Sequence, residues 1–270
     1  MKYVKSCLII TMLLGIGYSQ CDANGDGDLD VLDVIIEGEC ILTQCWEGNQ
    51  VCEGVEDIDG NCYETIQIGD QLWLAENLKV THYNDDSYIS SDHTAEEWDE
   101  LETGAYAVYD DDPSNADIYG YLYNWYALDD ERGLCPEGFH VPSDEEFMEL
   151  EMYLGMSYEE ANLHGFRGTN EGSQLAGNYD LWTSQYSADS LVSDSEFGTS
   201  GFNALPSGLR YAYPDIDYGY INGYTTFWTT TIHNWGDNVY LFRAILYSDS
   251  KSYRSYSARE FGKPIRCLED

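Results

Sequence analysis

Residues 142–154 read Pro-Ser-Asp-Glu-Glu-Phe-Met-Glu-Leu-Glu-Met-Tyr-Leu and carry the clearest helix signal in the chain. Ser143 followed by Glu146 predicts a capping box, in which the two side chains satisfy free backbone N–H groups of the first turn. The acids of this turn also suit the positive end of the helix dipole. An apolar stripe at helical spacing follows, which we expect to pack on a core: Phe147, Leu150 and Leu154.

From about residue 57 the rest of the chain is dominated by short strands and turns. A second capping box, Ser157 with Glu160, predicts one shorter helix. Strand-like runs, one of them a hairpin through Gly69-Asp70, are predicted at residues 63–68, 72–74, 120–126, 225–232, 239–246 and 264–268. In residues 120–126 the alternation places three aromatic residues on one face, which we expect to belong to the core: Tyr121, Tyr123 and Trp125. This pattern predicts an α+β fold, a mixed sheet with one or two helices.

Residues 1–19 have the features of a signal peptide. Lys2 and Lys5 precede an apolar run, and Gly17 and Ser19 are the small residues expected before a cleavage site. The run is too short to span a bilayer, and no later stretch approaches about eighteen apolar residues. We therefore expect an exported protein, secreted or at the cell surface, with no transmembrane segment.

The cysteines leave one question of processing open. Without Cys7 seven remain, an odd number, whereas lipidation of Cys21 in a lipoprotein would leave six that could all pair. The residues before Cys21 fit a lipoprotein cleavage site poorly. Cys52 and Cys62 flank a turn at residues 59–61 and could close a hairpin.

The charge is strongly one-sided. Fifty acidic residues against twelve basic ones give a formal charge of −38, and loss of the leader would remove two lysines more. Such a field repels phosphate backbones and anionic membranes and suits cations. Nucleic-acid binding is therefore excluded as a function.

Residues 22–33, Asp-Ala-Asn-Gly-Asp-Gly-Asp-Leu-Asp-Val-Leu-Asp, have the spacing of a calcium loop. Gly27 falls at the sixth position, where such a loop turns sharply. A short amphipathic helix would follow the loop. The predicted Ca²⁺ ligands are Asp22, Asn24, Asp26, Asp28 through its carbonyl, Asp30 and Asp33.

Several segments, taken in order, resemble the Fibrobacter succinogenes major paralogous domain, a secreted bacterial domain of poorly defined function. They are residues 57–63 (DIDGNCY), 67–78 (QIGDQLWLAENL), 120–126 (GYLYNWY), 134–143 (LCPEGFHVPS), 200–210 (SGFNALPSGLR) and 265–267 (IRC). The resemblance implies a C-type-lectin-like fold closed by its last strand, with a disulfide between Cys135 and Cys267. A disulfide that closes so long a loop could add about 4–5 kcal/mol to the free energy of unfolding in the chain-entropy model.

The calcium loop resembles one half of a type I dockerin, or an EF-hand. A dockerin has two such loops and only one is found, so the resemblance does not imply docking to a cohesin. The chain then divides into a signal peptide (residues 1–19), a dockerin-like calcium half-module (20–45), a cysteine-containing linker (46–56) and a lectin-like domain (57–270).

No catalytic constellation is found in the sequence, so we do not expect an enzyme, although a secreted enzyme remains the third possibility. Residues 211–224 read as an exposed loop at the place where lectin-like folds bind ligands. The ligand-binding candidates are Tyr211, Tyr213, Tyr218, Tyr220, Tyr224 and Trp235. We expect non-catalytic recognition of a polysaccharide or an extracellular protein. The alternative is a structural or assembly protein that docks through its calcium module.

Overall fold

A computed structural model of the chain describes residues 52–183, 190–233 and 239–270, together with the backbone of two paired strands, β1 (Cys7–Thr11) and β2 (Gly17–Cys21). The predicted calcium loop and the helix after it lie outside the described residues. The chain divides into two compact units, Met1–Val51 and Cys52–Asp270. Among the residues described, no helix is both long and apolar enough to cross a membrane.

The second unit contains short helices and many strands, which confirms the α+β class. Its described α-helices are α1 (Ala95–Asp99), α2 (Pro113–Tyr119), α3 (Trp125–Leu128), α4 (Asp144–Tyr153), α5 (Tyr158–Ala161) and α6 (Glu171–Leu175). Single 3₁₀ turns lie at Tyr109–Asp111, Tyr179–Leu181 and Leu191–Ser193. Its strands are β3 (Val55–Glu56), β4 (Cys62–Tyr63), β5 (Thr65–Ile68), β6 (Gln71–Leu74), β7 (Tyr106–Ala107), β8 (Leu122–Tyr123), β9 (Phe139–His140), β10 (Gly165–Arg167), β11 (Ser207–Tyr213), β12 (Ile216–Ile221), β13 (Tyr224–Ile232), β14 (Val239–Leu246), β15 (Ser252–Ala258) and β16 (Leu268–Glu269).

Two four-stranded antiparallel sheets organise this unit. One has the order β10-β15-β14-β13 and the other the order β5-β6-β16-β9, so that the last strand lies between two early ones. The pairs β3-β4, β7-β8 and β11-β12 form small two-stranded sheets. The predicted hairpin β5-β6 and the long strands β13 and β14 are confirmed.

Both predicted capping boxes are confirmed. At the start of α4 the Ser143 hydroxyl accepts a hydrogen bond from the Glu146 N–H at 3.2 Å, and the Glu146 carboxylate accepts one from the Ser143 N–H at 2.6 Å. Ser157 and Glu160 make the same exchange at α5. The local signal was sufficient because each cap uses only residues three apart.

Two strand predictions are wrong in part. In residues 120–126 only Leu122 and Tyr123 are extended, because the Asn124 side chain accepts from the Ala127 N–H at 3.2 Å and starts α3 at Trp125. Near the carboxyl terminus only Leu268–Glu269 is a strand. The backbone before it bonds to the end of β6 and to the segment after it: the carbonyls of residues 267 and 265 accept from the N–H groups of residues 74 and 78.

The first large sheet binds α4 through buried charges on one of its faces. The guanidinium of Arg243 lies 2.5 Å from Asp144 and 3.1 Å from Glu151, both on α4. Arg254 holds the other Asp144 oxygen at 2.6 Å, and Arg167 reaches Glu151 at 2.8 Å. All five side chains are buried.

Burial alone would raise the pKa of the Asp144 carboxyl, yet hydrogen bonds and positive charge from Arg254 and Arg243 outweigh it and hold the pKa below its usual range. Asp144 is therefore ionised at neutral pH, and the network sets three cations against two anions, so that each carboxylate contacts two arginines.

The opposite face of the same sheet is aromatic. Trp125 stacks on Tyr240 with ring centroids 3.7 Å apart. The Lys263 ammonium lies 4.6 Å, 4.7 Å and 4.6 Å from three ring centroids, those of Trp228, Phe242 and Phe261 respectively. Burial lowers the pKa of Lys263 to about 7. An aromatic cage of this kind stabilises a cation that has no carboxylate beside it.

The basic side chains of the second unit are mostly internal. Residues 52–270 contain ten lysines and arginines, of which only Arg132 is exposed. Six are buried: Arg167, Arg210, Arg243, Arg254, Lys263 and Arg266. The surface that the structure describes is therefore even more acidic than the composition alone indicates.

Two disulfides close the unit, as expected. Cys135 is joined to Cys267 across 132 residues of sequence, and Cys52 to Cys62 across ten. A disulfide that closes a longer loop removes more entropy from the unfolded chain. The Cys135–Cys267 bond therefore contributes more to the free energy of unfolding in the chain-entropy model.

Replacing Asp144 by asparagine leaves Arg243 and Arg254 buried without their shared counter-charge. We expect Asp144→Asn to lower the free energy of unfolding at pH 7 by about 3–5 kcal/mol in a urea titration. Because the folded-state pKa of Asp144 is depressed, its stabilisation is present above the unfolded pKa and is lost as the pH falls further. The difference between wild type and variant should therefore shrink below about pH 4.

The control is Glu149→Gln, an exposed position on the same helix. It should change stability by less than about 0.5 kcal/mol. Equal losses in the two variants, or a difference that does not vary with pH, would contradict the role of the network.

Candidate ligand-binding surface

Residues 211–224 are not the exposed loop that the sequence predicted, which is a correction. Strands β11 and β12 pair as a hairpin, with Arg210 opposite Tyr218 and Tyr213 opposite Ile216. Pro214 and Asp215 make the turn, and the tyrosines on either side are strand formers. The glycines that suggested a loop instead lie where side chains of the neighbouring strand need room.

A groove of about 560 Å³ opens where this hairpin meets the aromatic face of the first large sheet. We call it the aromatic groove; it is lined by Phe166, Thr183, Leu209, Tyr220, Ile221, Gly223, Tyr224, Leu246, Tyr247 and Tyr253. Tyr224 pairs across the sheet with Leu246, and Phe166 meets Tyr253 edge to face at 4.9 Å. None of the ten residues carries a charge, in a chain whose formal charge is −38.

A run of five aromatic rings leads from the groove along the hairpin, and we call it the aromatic ladder. Successive ring centroids are 5.6 Å, 6.2 Å, 6.2 Å and 5.7 Å apart. In order, the rings are Tyr224, Tyr220 and Tyr211, followed by Phe261 and Tyr213, and Tyr213 also lies 5.9 Å from Tyr211. Tyr220 and Tyr213 are the most exposed, at 62% and 51%.

Two backbone features hold the ladder in place. Tyr220 has φ +69°, a left-handed conformation that is uncommon for a bulky residue. It brings the ring to the side of Tyr211 and Tyr224. A Cβ on Gly219 would come within 2.7 Å of the Tyr211 ring, so glycine is needed for Tyr211 to lie across β12. Backbone strain of this kind concentrates at functional sites.

The structure therefore brings together four of the predicted ligand-binding residues: Tyr211, Tyr213, Tyr220 and Tyr224. It separates the fifth, Tyr218, which is a second correction. The Tyr218 hydroxyl donates to Asp111 at 2.5 Å, and its ring lies 5.2 Å from Tyr109 and under the Arg210 guanidinium. It belongs to the packing of the hairpin's other face, because it lies opposite Arg210, whose side chain points away from that of Tyr211, and because the left-handed backbone of Tyr220 turns that ring to the side of Tyr211.

The remaining predicted site residues cannot be placed. Trp235 and the Ca²⁺ ligands of residues 22–33 lie outside the described residues. Among the residues the structure does describe, no group of three or more metal-ligating side chains is arranged to hold a metal ion.

Sequence reasoning missed part of the groove. Phe166 comes from β10, Leu246 and Tyr247 from the end of β14, and Tyr253 from β15. The run Ser-Tyr-Arg-Ser-Tyr-Ser at residues 252–257 is rich in strand formers and was the signal for β15. Phe166 carried no local signal, because only pairing with β15 brings it beside Tyr253.

Two phenols of this surface, those of Tyr211 and Tyr224, are neutral at physiological pH. Burial and the neighbouring Tyr220 raise the pKa of Tyr211 to about 12. Burial, followed by the charge of Tyr253, also raises the pKa of Tyr224 above its usual range. Each ring thus offers a flat apolar face and a hydroxyl that donates and accepts hydrogen bonds.

Carboxylates line other clefts. A cleft of about 490 Å³ is bordered by five of them, at Asp92, Glu96, Asp111, Asp215 and Asp217. The uncharged lining of the aromatic groove distinguishes it from this part of the surface.

Comparison with protein families matched the chain to one family. The family model of the Fibrobacter succinogenes major domain matches residues 66–269. Searches of curated proteins and of solved structures found no match.

Replacing Tyr220 by glycine tests whether the left-handed backbone conformation that positions its ring is strained. Relief of about 1–3 kcal/mol of strain should offset the greater freedom of glycine in the unfolded chain. We expect Tyr220→Gly to leave the Tm unchanged or to raise it, as measured by differential scanning calorimetry.

The matched control is Tyr213→Gly, an exposed residue of the same hairpin whose φ is not left-handed. There is no strain to relieve, so stability should fall by about 1 kcal/mol. A fall of the same size in Tyr220→Gly would contradict the interpretation.

Proposed function

This chain belongs to the Fibrobacter succinogenes major domain family, and we propose that it is a non-catalytic binding protein whose aromatic groove recognises a neutral polysaccharide. The observation that carries the proposal is an uncharged, tyrosine-rich groove on an otherwise acidic domain. Tyrosine faces stack on the apolar faces of sugar rings, and their hydroxyls meet the sugar hydroxyls.

The charge of the domain selects the class of polysaccharide. The formal charge of −38 on the chain repels a polymer of uronic acids or sulfated sugars over the distance that salt does not screen. Among the described residues, no basic side chain lines the groove to bind such anions. A neutral glycan has no charge to be repelled, so its entry into an uncharged groove costs little electrostatic free energy.

The size of the groove favours sugars over a folded protein partner. A volume of about 560 Å³ falls in the range of small-ligand clefts. A stable protein interface commonly covers about 800 Å² on each partner and depends on buried anchors. Binding of an extracellular protein is the other outcome of the experiment below.

The finer fold assignment is part of the proposal. A C-type-lectin-like fold is supported by β16, which closes a sheet between β6 and β9, and by the Cys135–Cys267 bond that ties the approach to α4 to the chain end. Two disulfides also support export to an oxidising compartment, after removal of residues 1–19. Lipidation at Cys21 is the minor alternative to release from the cell.

Retention on polysaccharides tests the function directly. The exported protein is passed over soluble and insoluble neutral glucans, mannans and chitin, with pectate as an anionic comparison. We expect retention on one neutral class and none on pectate. Tyr220 and Phe166 are two exposed rings of the groove. The double variant Tyr220→Ala with Phe166→Ala should lower the affinity for the retained polysaccharide by at least about tenfold, which is about 1.4 kcal/mol.

The matched control is Tyr158→Ala, on α5, whose exposed fraction is 61% against 62% for Tyr220. It should bind as the wild type does. No retention on any neutral glycan would refute polysaccharide recognition and point to a protein ligand, and an equal loss in the control would refute the groove as its site.

An assembly role through the calcium module is the second candidate, favoured by the ligand spacing in residues 22–33. We expect one Ca²⁺ site by isothermal titration calorimetry, lost in a protein with Asp22→Ala and Asp33→Ala. If the module docks the protein to a surface complex, EDTA should release the protein from isolated cell envelopes. Glycan retention through the groove should persist in EDTA, and its loss there would contradict separate roles for the two units.

A further inference from the structure

The aromatic ladder continues beyond the groove in which the proposed function places the ligand. Tyr211, Phe261 and Tyr213 do not line the groove, yet their rings follow Tyr220 at spacings of 5.7 Å to 6.2 Å. Each step is close to the length of one sugar unit in an extended glycan. A ligand that fills only the groove would leave these three rings unused.

The rings of the ladder are not coplanar. The interplanar angle is 65° between Tyr224 and Tyr220 and 53° between Tyr220 and Tyr211. It is 63° and then 87° at the two steps through Phe261 to Tyr213. A flat crystalline glycan face can stack only on rings that share a plane. A single chain can turn about its glycosidic bonds and meet each ring in its own orientation.

We propose that the protein binds one non-crystalline, neutral polysaccharide chain along its length, from the aromatic groove across the ladder to Tyr213. This inference rests on the proposed function and adds the physical form of the ligand. Tyr220, shared by the groove and the ladder, is the contact made by short and long chains alike. Tyr213, at the far end, is reached only by longer ones.

The arrangement predicts how affinity depends on chain length. Longer chains reach more rings, first Tyr211 and then the adjacent Phe261 and Tyr213, and each contact adds to the binding free energy. A rise of at least about tenfold in affinity between two and five or six units is the expected sign of these successive contacts. A pocket for a terminal sugar would instead give the same affinity at all lengths.

The experiment uses β-1,4-linked glucose, mannose and N-acetylglucosamine oligomers of two to six units, titrated by calorimetry. Tyr213→Ala should leave the affinity for the two-unit oligomer unchanged and lower the affinity for the six-unit oligomer by about tenfold or more. Tyr220→Ala should weaken both. Tyr158→Ala, away from the ladder, should change neither, and the Tm of each variant is measured to confirm folding.

A second arm compares physical forms of one glycan. Phosphoric-acid-swollen cellulose or colloidal chitin should retain the protein, and the microcrystalline form of the same polymer should retain it poorly. Equal retention on both forms, or a Tyr213→Ala loss of equal size at every length, would overturn the inference while leaving glycan binding intact. Absence of binding by the wild-type protein to every oligomer and polymer would overturn the proposed function, and the inference with it.

Discussion

Five charged side chains buried between α4 and a four-stranded sheet determine which way that sheet faces. Arg243, Arg254 and Arg167 must reach Asp144 and Glu151 on the helix, because a charge left unpaired in the interior costs several kcal/mol. Side chains alternate along a strand, so turning Arg243 toward the helix turns Phe242, Ala244 and Leu246 the other way. The same constraint places Tyr253 beside Arg254 on the outward face. The aromatic groove and the ion network therefore lie on opposite faces of the same sheet. A shift of one residue in strand register would exchange the side chains of the two faces.

The sequence was most informative where the determining interaction is local. The caps of α4 and α5 depend on residues three apart, and β13 and β14 are visible as continuous runs rich in β-branched and aromatic residues. The paired cysteines 135 and 267 came from the family resemblance, and the α+β class from the mixture of these signals. The site was predicted only in part. Tyr218 was assigned to the ligand surface because a strand's two faces cannot be told apart until its partner is known, and Phe166 was missed because it depends on pairing with β15. The left-handed Tyr220 reversed the expected side of one ring, which no alternation rule predicts.

Two buried cations explain why the end of the chain is not the regular strand that its apolar pattern suggested. The Arg266 guanidinium donates hydrogen bonds to backbone and amide oxygens. Its acceptors are the Leu74 carbonyl at 3.1 Å, the Asn77 side chain at 2.7 Å and the Phe202 carbonyl. Burial lowers the pKa of Arg266 to about 9. Lys263 is held by aromatic rings instead. Residues 263–267 bond to several elements and do not extend one sheet: Lys263 bonds to Tyr123 of β8, the Pro264 carbonyl accepts from Trp228 of β13, and the Cys267 carbonyl accepts from Leu74 of β6. Phe261 contacts Lys263 and belongs to the aromatic ladder, so it connects this end of the chain to the ladder.

The inward placement of basic side chains has a consequence for the resistance of the domain to proteolysis. Trypsin-like proteases cleave after lysine and arginine and need several residues of accessible, extended chain around the bond. Six of the ten such positions in residues 52–270 are buried, and Arg132 alone is exposed. Cleavage at the six buried positions requires the domain to open first, so its rate follows the population of open forms. The same arginines that orient the sheet therefore hide the sites at which a common class of digestive enzyme would cut it.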